Sequence, residues 1–184
     1  RSNNSLKLLL TTHLPCHTRR TRQTLSRCCA LCECHADVPF LLVTQIDFYT
    51  RVTNKLSVAC RLAAKAHSRN MRVALLCQDD ATVRELDQLL WSAAPLSFVP
   101  HCAADHTLAA RTPVVIASMD DVPGHDDVLV NLRDEWPPSF SRFKRLVELV
   151  SDNQADKSAA RTRYKFYRDR GYEIRTHDLS TNEG

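Results

Sequence analysis

Lys157, Arg161, Tyr164 and Arg168 are the residues of this chain whose types and spacing point most directly to chemistry. At about 100° per residue, the four fall within roughly 60° of one another on a helix. Three cations and one aromatic ring on a single stripe form a receptor for an acidic partner with an apolar or aromatic end. The surrounding segment 156–171, DKSAARTRYKFYRDRG, carries the punctuation of a helix. Asp156 is placed to cap its start and Gly171 to stop it, and Arg168 and Arg170 suit the negative C-terminal dipole. A solvated helix face has the same look, so the choice rests on the rest of the chain.

Other chemistry is poorly supplied. The 184 residues hold three glycines, Gly124, Gly171 and Gly184. A phosphate-binding loop or dinucleotide fingerprint needs glycines where backbone N–H groups approach phosphate, so neither can be written. Asp79-Asp80, following an apolar run, has the composition of a metal or acid/base pair, but a helix cap is the favoured reading. His101, Cys102, Asp105 and His106 match no standard zinc spacing, and no nucleophile elbow is present. Cys29 and Cys32 have the bite of a zinc half-site, with Cys16, His17, Cys34 and His35 nearby, but a second CxxC pair is missing. No cofactor and no metal are expected.

Charge narrows the partners. The formal net charge is +4, and residues 1–45 hold six of the bases against two acids, leaving 19 of each for residues 46–184. A neutral body disfavours general nucleic-acid binding, which depends on many phosphate contacts. A local basic stripe on such a body suits a small acidic partner. No apolar run approaches a membrane span, and no secretory signal is visible. Those features, with five of eight cysteines in the first 34 residues, give a reducing, cytoplasmic setting as the expectation.

The elements that must position the stripe begin at Ile46. Residues 1–45 lack periodicity and read as a poorly ordered N-terminal extension, 46–178 as the domain, and 179–184 as a tail. Ile46–Tyr49 is a short strand, and 55–67 is a helix capped by Asn54. Arg72–Cys77 is a buried strand, and 81–91 is a helix with Val83, Leu86 and Leu90 inward. A Pro-punctuated loop covers 93–104, and Pro113–Ala117 and Asp127–Asn131 are strands. Pro137-Pro138-Ser139 opens a helix with Phe140, Phe143, Val147 and Val150 at helical spacing. The 156–171 helix and a last strand from Tyr172 to Arg175 follow. The fold class is α/β: a three-layer domain on a largely parallel sheet, Rossmann-like without a phosphate-binding loop.

Segments 72–79 (RVALLCQD), 86–101 (LDQLLWSAAPLSFVPH) and 163–171 (RYKFYRDRG) resemble, in order and spacing, the chi subunit family of bacterial DNA polymerase III. The likeness covers about 46–178 and has no counterpart for 1–45. It implies a non-catalytic accessory protein of the clamp loader in the polymerase holoenzyme. One implied partner is the psi subunit, at a surface that includes Trp91 and Phe98. The other is the acidic C-terminal tail of single-stranded DNA-binding protein (SSB), ending in Ile-Pro-Phe, at Lys157, Arg161, Tyr164 and Arg168. Nucleic acid would be met only indirectly, through SSB, and no membrane is involved. The alternatives are a nucleotide-binding α/β enzyme using Asp79 and Asp80, and a chi-like adaptor for a repair helicase.

Overall fold

The computed structural model of the protein describes residues 43–92, 98–120, 122 and 124–179. The strands are β1 (Gln45–Val52), β2 (Val73–Leu76), β3 (His101–Ala103), β4 (Val114–Ala117), β5 (Val128–Asn131), β6 (Arg145–Ser151) and β7 (Ile174–Asp178). The helices are α1 (Lys55–His67), α2 (Asp80–Ser92) and α3 (Gln154–Asp169). The strands form one sheet in the order β3-β4-β2-β5-β6-β1-β7, and every adjacent pair is parallel. The expected α/β class therefore holds, and the sheet is more uniformly parallel than expected.

Two apolar layers follow from strand alternation. Val73, Leu75, Val114, Ile116, Val147 and Leu149 face α1 and α2. Ala74, Leu76, Val115, Leu129, Leu146 and Val150 face α3 and the short 3-10 turn Phe140–Arg142. In β1, Ile46 and Phe48 point to the α3 side, whereas Val52 enters the α1 layer. The register shift between Tyr49 and Val52, with Arg51 at φ 58°, supplies the extra residue that flips the alternation.

Three local expectations are corrected. Residues 145–151 form β6, not the second half of a helix, and only Phe140–Arg142 makes a helical turn. Phe140, Phe143, Val147 and Val150 do keep helical spacing, but Leu146 and Leu149 fill the positions between them. An apolar run on both faces belongs to a strand in the middle of a parallel sheet. Within the expected loop 93–104 lies β3, three residues long, added at the sheet edge beside β4. The cap of α3 is Asn153, whose side chain accepts from Ala155 N–H at 3.0 Å, while Asp156 sits in the first turn. Asn54 caps α1 as read, accepting from Ser57 N–H at 3.0 Å.

The far end of α3 stops as the sequence predicts. Gly171 has φ 80°, its N–H donates to Arg168 O at 2.9 Å, and Tyr172 N–H donates to Tyr167 O at 3.2 Å. A left-handed glycine with this bond pair is a Schellman end.

On the α3 side, Glu148 of β6 is fully buried and receives bonds from three residues on two elements. Arg163 Nε and Tyr167 Oη of α3 each donate at 2.8 Å, and Asn131 Nδ2 of β5 donates at 3.1 and 3.2 Å. Burial pushes the Glu148 carboxyl up, and Arg163, Tyr167 and Asn131 pull it back. Burial and the Glu148 charge push the Tyr167 phenol up, keeping it a donor. Arg163→Ala strands this carboxyl and is expected to cost about 3–5 kcal/mol in urea unfolding. A loss under about 1 kcal/mol would contradict the network's structural role.

Candidate functional site

Lys157, Arg161 and Tyr164 line a single open cavity of about 340 Å³ between α3 and the sheet. Its remaining walls are Ala160 of α3, Phe48 and Thr50 of β1, Val150 of β6 and Thr176 of β7. The stripe therefore forms one wall of a groove rather than an isolated basic face. Phe48 is buried and packs edge-to-face on Tyr164 with ring centroids 5.4 Å apart, which fixes the tyrosine in place. Register brings the floor together: Phe48 lies opposite Thr176 in β7, a residue distant from it in sequence. Sequence spacing missed Phe48, Thr50, Val150 and Thr176, because parallel pairing leaves no local signal.

The cations differ in their engagement. Lys157 Nζ is 2.8 Å from Asp152 and Arg168 Nη2 is 3.6 Å from Asp169. Arg161 is exposed and makes no hydrogen bond or ion pair among the described residues. Arg168 lies one turn beyond Tyr164 and does not line the groove. The groove thus holds one unengaged guanidinium, one ammonium on a replaceable exposed partner, and a ring above an apolar floor. This arrangement has the chemistry to accept a carboxylate next to an aromatic or aliphatic side chain.

Trp91 and Phe98 lie together elsewhere, at the end of α2, with ring centroids 5.3 Å apart. Each is 61% exposed, so neither fills the core. Trp91 also rests edge-on against His101 at 5.1 Å, and His101 Nδ1 lies 2.7 Å from Val99 O. Paired exposed aromatics have the character of an interface anchor.

The other candidate sites resolve into structure. Asp79 Oδ1 accepts from Thr82 N–H at 2.7 Å and from Thr82 Oγ1 at 2.8 Å, so it acts as the cap of α2. Those bonds hold its carboxyl below the usual carboxylate range. Past the carboxyl ends of β2 and β4, Arg133 ties the two strand ends together, beside an open cavity of about 630 Å³ lined by Asp80, Arg84, Ser118 and Met119. Arg133 Nε donates to Cys77 O at 2.9 Å, Nη1 pairs with Asp120 at 2.9 Å, and Nη2 donates to Ser118 O. Burial pushes the Cys77 thiol up to about 12, which keeps it unreactive. Among the described residues no cluster of His, Cys, Asp and Glu could hold a metal. Cys29 and Cys32 lie outside the described residues.

Asp156 anchors the start of α3 beneath the groove. Its Oδ2 accepts from Ser151 N–H at 2.7 Å and Ser151 Oγ at 2.8 Å, and pairs with Lys55 Nζ at 2.7 Å. Burial raises its pKa, but the bonds from Lys55 and Ser151 outweigh this and leave the carboxyl below its ordinary value. The stability it supplies is therefore full above about pH 4 and fades as pH falls through the folded value. Asp156→Asn is expected to cost about 2 kcal/mol at pH 7 in urea unfolding, with a gap to wild type that narrows below about pH 4. A gap independent of pH would contradict this assignment.

Comparison with known proteins adds the family. The sequence model of the family described as DNA polymerase III chi subunit, HolC, matches residues 43–175. The DNA polymerase III subunit chi of Pseudomonas aeruginosa is 39% identical over 141 residues, covering 74% of this chain and 98% of that protein. The subunits chi of Haemophilus influenzae and Escherichia coli are 31% and 32% identical, covering 66% and 65% of this chain and 85% and 82% of their own lengths. Among solved structures, the C-terminal domain of S. cerevisiae Dbp5 bound to Gle1 and IP6 aligns with TM-score 0.50 at 13% identity, over 75% of this chain and 91% of that one. A second Dbp5 complex, with Nup159, Gle1, IP6 and ADP, gives 0.51 at 11%, over 76% and 42%. At such low identity these two bear on the α/β fold alone.

Proposed function

This chain belongs to the DNA polymerase III chi subunit family, and from that premise we propose that it is a non-catalytic adaptor of the clamp loader. It binds the acidic, Phe-ended C-terminal tail of SSB in the α3 groove and a psi-type subunit at the Trp91–Phe98 patch. Residues 46–178 carry both surfaces. Contact with nucleic acid runs through SSB.

The observation that carries this reading is the union of Arg161, Lys157 and Tyr164 around one apolar-floored cavity. Arg161 takes the terminal carboxylate, because its planar fork matches that group and no described residue competes for it. Phe48, Val150, Ala160 and the Tyr164 ring receive the terminal phenylalanine. Lys157 exchanges Asp152 for an acidic side chain of the tail. Arg168, outside the cavity, meets acidic residues farther upstream. The enzyme alternative loses support because Asp79 is a helix cap and no glycine stands between β2 and α2 to bring backbone N–H groups to a phosphate.

A peptide ending in Asp-Ile-Pro-Phe is expected to bind the full chain in the micromolar range, more weakly as salt rises. Arg161→Ala should weaken it at least about tenfold with an unchanged circular dichroism spectrum. An unaltered affinity would sink the site assignment. The double substitution Trp91→Ala/Phe98→Ala should abolish capture of a psi-type subunit and leave the peptide titration unchanged. Loss of both activities, or of neither, would contradict two separate surfaces.

A further inference from the structure

We propose that the small cavity where β1 and β6 meet the C-terminal end of α1 is a binding site for a phosphate group, held by Lys65, Arg69 and Arg145. It lies on the sheet face opposite the α3 groove, since Tyr49 and Val147 line it while the adjacent Phe48 floors the groove.

The site is built from beneath. Asp47 is 1% exposed and its carboxylate is saturated. Gln45 Nε2 donates to Oδ1 at 3.2 Å, His177 Nε2 lies 3.1 Å from Oδ1, and Arg145 Nε is 2.8 Å from Oδ2. His177 stacks on Tyr49 at 4.8 Å, locking both rings over the acid. Arg145 is therefore held at one nitrogen by a buried carboxylate, with its terminal nitrogens unbonded among the described residues. Lys65 and Arg69 have no ion pair among the described residues either. Burial and the Asp47 charge push the Tyr49 phenol up, so it remains a donor.

Three cations thus line one hollow, and the buried Asp47 engages only Arg145 among them, an excess of positive charge that an anion relieves. The dipole of α1 accounts for a cation at Lys65. It does not account for Arg69 beyond the helix end, nor for Arg145 arriving from another strand. The cavity holds about 60 Å³. That exceeds the roughly 10–15 Å³ one water needs and falls far short of the roughly 300 Å³ of an organic-ligand pocket. A single tetrahedral oxyanion fits that range.

The test is a titration of the full chain with inorganic phosphate at constant ionic strength, against chloride, followed by NMR of backbone and arginine side chains. Saturable millimolar shifts are expected at Tyr49, Arg69 and Arg145, weakened at least about tenfold by Lys65→Ala/Arg69→Ala. Both side chains lie outside the core, and an unchanged melting temperature without phosphate confirms the variant's fold. Arg175→Ala, which removes an exposed arginine paired with Glu173 on β7, should bind phosphate as wild type does. An oligothymidylate arm separates the sources. Tighter binding than phosphate, lost in the same double variant, supports a phosphodiester backbone, and a response to phosphate alone supports a free phosphate or monoester. Absence of saturable shifts, or shifts equal in wild type and double variant, overturns the proposal.

Discussion

A carboxylate with no access to water cannot be left alone, and Glu148 sets the terms for the whole α3 side of this domain. It stands in β6 between β5 and β1, in a layer of aliphatic and aromatic side chains. An unpaired charge there would cost several kcal/mol, so its partners are obligatory. Asn131 comes from the neighbouring strand, and Arg163 and Tyr167 come from α3, one turn apart on the inner face. Arg163 also donates to Asp134 O at 2.8 Å, drawing in the loop after β5. The requirement to satisfy one buried acid therefore fixes how far along the sheet α3 lies and how it is rotated about its axis.

That rotation decides what the outer flank of α3 can do. With Arg163 and Tyr167 turned inward, Arg161 and Tyr164 fall on the flank above β1 and β7. Small Ala160, buried against the sheet, leaves the space that becomes the groove. Asp156, tied to Lys55 and Ser151, holds the first turn where Lys157 meets the rim. The helix thus has two charged faces with different fates. The buried one is spent on internal pairing, and the exposed one keeps a guanidinium available for a ligand. The same separation appears across β1, where Phe48 serves the groove and Asp47, one residue earlier, serves the opposite face.

Much of this was legible in the sequence, for identifiable reasons. The stripe 157–161–164–168 lies within one helix, so its alignment follows from local geometry, and the caps at Asn54 and Gly171 are equally local. The apolar runs at 73–76, 114–117 and 128–131 read as buried strands because both of their faces are apolar. The segment 145–151 did not, since the polar Glu148 interrupts the run and leaves a subset of apolar positions at helical spacing. The groove floor was invisible because Phe48, Val150 and Thr176 meet only through strand pairing across the domain. Arg163 lies off the 157–161–164–168 stripe and drew no separate reading. Nothing near it in sequence announces the buried acid on β6 that it serves.

The central claim is that α3, positioned by Glu148, presents a receptor for a peptide carboxylate with an adjacent aromatic ring. A crystal structure of the full chain with the SSB C-terminal peptide tests this most directly. The account predicts the terminal carboxylate within hydrogen-bond distance of the Arg161 guanidinium, with the phenylalanine ring against Phe48, Val150 and Tyr164. A peptide seated on another surface, or one whose carboxylate faces solvent while Arg161 stays unengaged, would contradict it.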